Sequence, residues 1–413
     1  MAFRWISRSR LSMQRLGFCK AVLAFSELAR TPEQMASLLD QRLGEEKFAV
    51  PYDDALATWL RRLDEEIKFN PQIVTSLQKL YIYGHPSQTG WLSEKHGFNE
   101  YVEYLPRGLG LVTASYERTD MGLVLYQGLM SKEQLEAFDH PSAVNPLVLE
   151  RGEQVFFLYN LLAADGDFLV PFYDVLLNRF SDGSFNYLDA GSLIPGVMEN
   201  IGNTFLGSAY SIADQKKLQV LEKGKQKILE NIKNQDEKKG SGARREQTTI
   251  PRLEWLVDVG AVELVSTRTW RFTELGLKLS TLTQAYAAEM KKRYPENVMS
   301  ALLDSWFFEF VAQTYGKASP QEIDRDNFLA FIQPAYKKLV GVGGYCLLRP
   351  LLLYSNILSL CSSRSLFLEY NRAVELLEDT YQSDPTALHY TIDRYNTDYQ
   401  VRLERIPGEY LHN

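Results

Sequence analysis

Carboxylate pairs are the first residues to weigh. Asp165-Gly166-Asp167 and Asp324-Arg325-Asp326 each place two acids at i and i+2. Such a pair can help bind a divalent cation. It also suits a helix stop (the first) or a helix cap (the second), which is the reading preferred here. Glu-x-Lys occurs at Glu45–Lys47, Glu66–Lys68, Glu237–Lys239 and Glu289–Lys291. A metal-dependent nuclease needs that pair on a strand beside a further acid, and all four copies lie in helical or loop sequence. Five histidines (His85, His96, His140, His389, His412) form no close pair, and Cys19, Cys346 and Cys361 are scattered. That pattern gives neither a four-ligand zinc site nor a disulfide framework. Gly341-Val342-Gly343-Gly344 lacks the Lys-Ser/Thr that completes a phosphate loop. The expectation is a chain with no catalytic residues, no metal and no cofactor, hence not an enzyme. A catalytic set assembled from distant residues leaves no linear signature and stands as a third reading.

Basic and hydroxyl residues offer a different chemistry, the binding of phosphates. The run Lys223–Arg245 holds eight basic residues against three acids, a net of +5 in a chain whose total is −7, leaving −12 for the other 390 residues. The total excludes a uniform positive coat but not a local groove. Around this run stand Arg244, Arg245, Thr248, Thr249 and Arg252, followed by Arg268 and Arg271. Arg118, with Arg107, Tyr116, Lys95 and His96 near it, forms a second group. Arg364, with Lys337, Lys338, Arg349, Ser362 and Ser363, forms a third. Positively charged and neutral donors of this kind contact DNA backbones. The aromatics Trp255, Trp270 and Phe272 could stack on bases, but their spacing assigns them to the core.

The elements that must position these residues read as helices with short hairpins. Met35, Leu38 and Leu39, then Leu56, Trp59, Leu60 and Leu63, then Val155, Leu158, Tyr159 and Leu162 recur at helical spacing. Thr31-Pro32-Glu33-Gln34 is a helix start. Three stretches, 105–126, 256–279 and 353–376, share one plan. A helix ends at Gly108/Gly110, Gly260 or Asn356. A short strand follows at Leu111-Val112, Val262–Leu264 or Ile357–Leu360. A polar tip then carries Arg118, Arg268 or Arg364. A second strand returns, as in Trp270-Arg271-Phe272 and Ser365-Leu366-Phe367-Leu368. The next helix opens at Thr119-Asp120 or Thr273-Glu274.

Helix, strand, wing, strand, helix resembles the C-terminal half of a winged helix-turn-helix unit. Phe272-Thr273-Glu274-Leu275-Gly276 before an apolar helix is similar to the strand exit of many winged-helix families. The resemblance covers about 25 residues per copy and is of superfamily grade. It implies a mainly α fold with small β-hairpin wings (α+β), as tandem winged-helix-like domains. It also implies DNA binding through the start of a third helix (Thr248, Thr249, Arg252) and through wing arginines (Arg268, Arg271, Arg118, Arg364). Glu153–Ala164 and Phe168–Arg179 would be the first two helices of the second unit, with Thr248–Trp255 opening its third. In the third unit Val298–Tyr315 and Asn327–Leu339 are helices, with another after Gly343–Tyr354. In the first, Pro71–Tyr83 and Gly90–Gly97 precede Asn99–Leu109. The turn before the third helix is interrupted in two copies, in one by an insert over 180–247, whose Lys216–Lys233 part is helical in pattern.

Boundaries fall at 1–140, 141–292 and 293–413. Winged helices also dock proteins. The alternative is therefore an architectural subunit of a larger DNA-processing, anti-phage defence or chromosome-maintenance complex, an analogy of fold only. Few cysteines and no run of about 18 apolar residues predict a cytoplasmic chain without a membrane partner. Arg4, Arg8, Arg10, Arg15 and Lys20 suit a basic helix opening the first domain, although a transit peptide has similar composition. The stretch His389–Glu404 ends in the alternation Tyr399, Val401, Leu403, which a strand at an exposed edge or a closing helix would equally satisfy.

Overall fold

The computed structural model describes residues 3–6, 16–28, 105–138, 146–205, 212–233, 243–266, 269–316, 319–341, 343–362, 365–393 and 398–404, with residues 31, 34, 35 and 38. The stretches Leu56–Leu63, Pro71–Tyr83 and Gly90–Gly97, and most of the helix expected after Thr31, lie outside the described residues.

Helices dominate. In chain order they begin with α1 (Gly17–Phe25), α2 (Leu105–Gly108), α3 (Asp120–Leu123, continued by a π-helical turn Val124–Leu129) and α4 (Lys132–Ala137). Then come α5 (Arg151–Phe180), strand β1 (Ser184–Asn186), α6 (Tyr187–Phe205), α7 (Ile212–Lys233) and α8 (Ala243–Asp258). The hairpin β2 (Val262–Ser266) and β3 (Thr269–Phe272) leads to α9 (Glu274–Lys278), α10 (Ser280–Met290), α11 (Pro295–Ser305) and α12 (Phe307–Tyr315). The remainder is β4 (Gln321–Glu322), α13 (Arg325–Leu339), β5 (Cys346–Leu347), α14 (Leu348–Cys361), β6 (Leu366–Phe367), α15 (Tyr370–Ser383), β7 (Leu388–Ile392) and β8 (Tyr399–Leu403).

Helix α5 is the axis. It packs on α6, α10, α11 and α14, across the boundary expected near residue 292. Among the described residues it alone is long and apolar enough to cross a membrane, and 83% of its apolar window is buried inside the fold. The expected stop at Asp165-Gly166-Asp167 does not occur. Gly166 stays helical, and Met299 packs where a side chain at this position would be. Both aspartates turn their carboxylates outward from the helix onto other segments. Pro171 is also accommodated inside α5. Of the basic helix expected at the start of the chain, Arg8, Arg10 and Arg15 lie outside the described residues; Lys20 is in α1, buried and ion-paired with Glu153 at 2.7 Å, and Glu153 also caps α5 through the Glu150 N–H.

Around the second hairpin the local geometry follows from sequence. Gly260 ends α8 at φ +81°, a conformation glycine adopts without steric cost. The Ala261 N–H donates back to the Leu256 carbonyl, and the Gly260 N–H to Val257. Thr273 caps α9 by accepting the Gly276 N–H at 3.0 Å, while its hydroxyl donates to the Gly260 carbonyl at 2.7 Å. The same bonds recur one unit earlier. Gly110 has φ +70°, the Leu111 N–H donates to Pro106, and Thr119 accepts from Gly122 while donating to Gly110. A Cβ on Gly276 would lie 1.8 Å from the Ala261 carbonyl oxygen, and one on Gly122 2.1 Å from that of Leu111. β1 adds to the hairpin in the order β1-β3-β2, all antiparallel.

The third stretch differs. α14 runs through Asn356 to Cys361, so Ile357–Leu360 is helix and not strand. The Asn356 amide explains this: it donates to the Leu352 carbonyl inside the helix and brackets the Leu368 backbone, accepting its N–H at 2.9 Å. β6 pairs in parallel with β4 instead of closing a hairpin. The C-terminal stretch resolves as strands, in a sheet of order β5-β8-β7. Trp255, Trp270 and Phe272 are core residues, with Phe272 against Tyr173 and Phe185, and the Trp270 indole donating to Glu254.

Candidate nucleic-acid interface

The residues expected to read DNA converge, but inside the fold. α8 begins at Ala243, five residues before Thr248, so the two threonines and Arg252 sit in its middle. Every residue from Thr248 to Leu256 is buried, because α8 packs against α6, α7 and β2. Arg245 is buried too, its side chain lying over Gly191 of α6. The Thr248 hydroxyl donates to the Arg244 carbonyl at 2.9 Å, and Thr249 has no exposed surface. Arg245, Thr248, Thr249 and Arg252 are therefore corrected from surface contacts to core residues. Arg244 is half-buried beside Gly224 of α7.

Arg252 shows what the buried positions do. Its Nε and Nη2 grip both oxygens of Asp165 at 2.7 and 2.8 Å, Nη1 donates to the Thr248 carbonyl, and Nη2 also donates to the Ile6 carbonyl at 3.0 Å. Phe168 lies under the guanidinium at 4.3 Å. Burial pushes the Asp165 carboxyl up, and the Arg252 charge opposes that push. Asp167 has no such cation gripping it, and burial pushes it up to about 7. Both aspartates, first weighed as a cation pair or a helix stop, instead hold the segment Phe3–Ile6.

The wing residues divide. Arg268 and Arg364 lie outside the described residues, as do Ser363, Lys95 and His96. Arg271 is exposed on β3 and paired with Glu263 across the hairpin. Arg118 is largely buried, donates to the Leu23 carbonyl at 3.0 Å, pairs with Glu27 and covers the Tyr126 ring, so it ties α1 to the hairpin. Arg349 is half-buried, gripping Asp304 and stacking on Tyr370 at 3.8 Å. Lys337 and Lys338 are exposed in the last turn of α13, where positive charge faces the negative end of the helix dipole. Asp324 caps α13 by accepting the Asn327 N–H at 3.0 Å, as the cap reading requires.

On α7, Lys216, Lys223 and Lys227 are exposed and fall on one side at spacings of seven and four, with the exposed Glu230 beside them, seven residues after Lys223. Lys216 lies outside the charge run, and helical spacing was the signal that could have joined it. Ile212 and Val220 lie on the same side and are exposed. Among the described residues no group of three or more His, Cys, Asp or Glu is placed to hold a metal ion. Comparison of the chain with protein-family models, with curated proteins and with solved structures finds no match.

Proposed function

We propose that this chain is a non-enzymatic, winged-helix-like docking protein, an architectural subunit of a DNA-processing assembly. One observation carries the reading: the helix that would enter a major groove, α8, is buried along Thr248–Leu256. A reading helix must expose its side chains to base edges, and here Arg252, in the middle of α8, is bonded to Asp165, Thr248 and Ile6 instead. The matched geometry at Gly110–Gly122 and Gly260–Gly276 supports the winged-helix likeness of the first two units.

A second reading rests on α7. Lys216, Lys223 and Lys227 offer three phosphate contacts without base readout, so DNA would be held weakly and without sequence preference. Fluorescence anisotropy of a labelled duplex at two salt concentrations tests both. Three contacts give a log–log salt slope of about −3. Replacing the three lysines with Gln abolishes the binding on this reading. Tight, sequence-selective binding that survives the triple variant overturns the docking proposal.

A further inference from the structure

Among the described residues, the backbone of residues 3–6 is bonded by side chains from distant helices. The Phe3 N–H donates to Asp214 at 2.8 Å, the Arg4 N–H to Asp167 at 2.9 Å and the Ile6 N–H to Asp165 at 2.7 Å. The Phe3 carbonyl accepts from Lys217 at 2.7 Å, and the Ile6 carbonyl from Arg252 at 3.0 Å. Three carboxylates thus take N–H groups and two cations take carbonyls. These are charge-assisted bonds, stronger than neutral ones, and they do not depend on which residues the segment carries. Selectivity comes from two aromatic seats: Phe3 packs edge-on against Phe205 at 5.0 Å, and Trp5 stacks on Phe168 at 6.2 Å. The surrounding groups come from α5, α6, α7 and α8, so the groove is built by the helices and not by the segment itself.

The segment does not satisfy the groove fully. The Oδ1 of Asp167, which is fully buried, and the Trp5 indole N–H have no hydrogen-bond partner. A buried polar atom left unpaired costs about 1–3 kcal/mol. A segment that paired both atoms would fit the groove better than Phe3–Ile6 does.

We propose that this groove is a peptide-binding site, occupied in cis by Phe3–Ile6, and that it takes an aromatic-x-aromatic segment of a partner protein in their place. The inference does not rest on the docking function proposed above, because the groove is defined by its own bonds. Recognition is by main chain plus two rings, a mode that suits a flexible tail. The cis segment competes at an effective concentration in the millimolar range, so the groove is closed to weak ligands until that segment is weakened or displaced.

The test uses the full chain carrying Phe3→Ala and Trp5→Ala, and a fluorescent peptide with the sequence of residues 1–8. The peptide should bind the double variant saturably below about 1 mM and the parent at least tenfold more weakly, because only the parent retains the competing segment. N-methylation of the Arg4 amide in the peptide removes the N–H that Asp167 accepts and should weaken binding by about tenfold or more. No saturable binding to a double variant with the parent's helical circular dichroism overturns the proposal. So does equal binding of the N-methylated peptide. Where the double variant does not fold, a protease site placed within residues 7–15 of the parent replaces it. After cleavage the released segment should stay bound through gel filtration and exchange with labelled peptide. Loss of the segment without uptake of peptide overturns the proposal. Concentration-dependent self-pairing of the parent that Phe3→Ala and Trp5→Ala abolish assigns the groove to a second copy and overturns the partner reading.

Discussion

Replacing Arg252 with Ala separates a core arginine from a DNA-reading one. Arg252 is fully buried, and its loss strands the Asp165 carboxylate together with the Ile6 carbonyl. Removing one partner of a buried ion pair costs about 3–5 kcal/mol. With about 2.1 cal/mol/K of unfolding entropy per residue over this chain, a loss of about 4 kcal/mol lowers Tm by about 5 °C. Calorimetry and urea unfolding read this directly. The double variant Asp165→Leu with Arg252→Met removes the uncompensated charge but leaves the Ile6 N–H and carbonyl without these partners, so it should recover part of the loss and not all of it. Duplex DNA affinity, corrected for the folded fraction, should not change. An Arg252→Ala variant with unaltered Tm and DNA affinity lowered about tenfold would refute the reasoning.

Two further outcomes follow from the same packing. Asp167 sits at about 7 when folded, far above its ordinary value near 4, so between those values the folded state binds the extra proton. Stability therefore falls as pH rises through that window, by up to about 4 kcal/mol. Asp167→Asn keeps an acceptor for the Arg4 N–H and should raise stability at pH 8 while flattening the profile measured by urea unfolding. Glu369, pushed up to about 8 by burial, leaves a residual slope of the same sign. A profile unchanged by Asp167→Asn would remove Asp167 as its source. Gly276→Ala forces a methyl against the Ala261 carbonyl and should cost about 1–3 kcal/mol in urea unfolding, whereas Gly108→Ala meets nothing nearby and should be near neutral. Equal effects at the two positions would contradict the close packing at Gly276.

The helices and hairpin chemistry were legible because local rules dominate them. Gly260, Thr273 and Gly276 fix a turn, a cap and a close approach within seventeen residues of chain. Lys216–Lys233 and Asn327–Leu339 follow from period alone, within a few residues of α7 and α13. Asp165 and Asp167 misled because their partners, Arg252, Ile6 and Arg4, are far away in sequence. Asn356 misled for the same reason, its partner Leu368 lying beyond a turn. The candidate site failed where burial decides function: a threonine–arginine cluster reads alike whether it faces solvent or an internal aspartate. Only the packing of α8 on three sides distinguishes them.

Hydrogen exchange of the α8 amides shows whether this helix belongs to the core or to a DNA-reading surface. If α8 is a core helix, the amides of residues 248–250 and 252–256 exchange only through global unfolding, as slowly as those of α5, and duplex DNA leaves their rates unchanged. Fast exchange in the free protein, or protection of these amides on adding DNA, would contradict it.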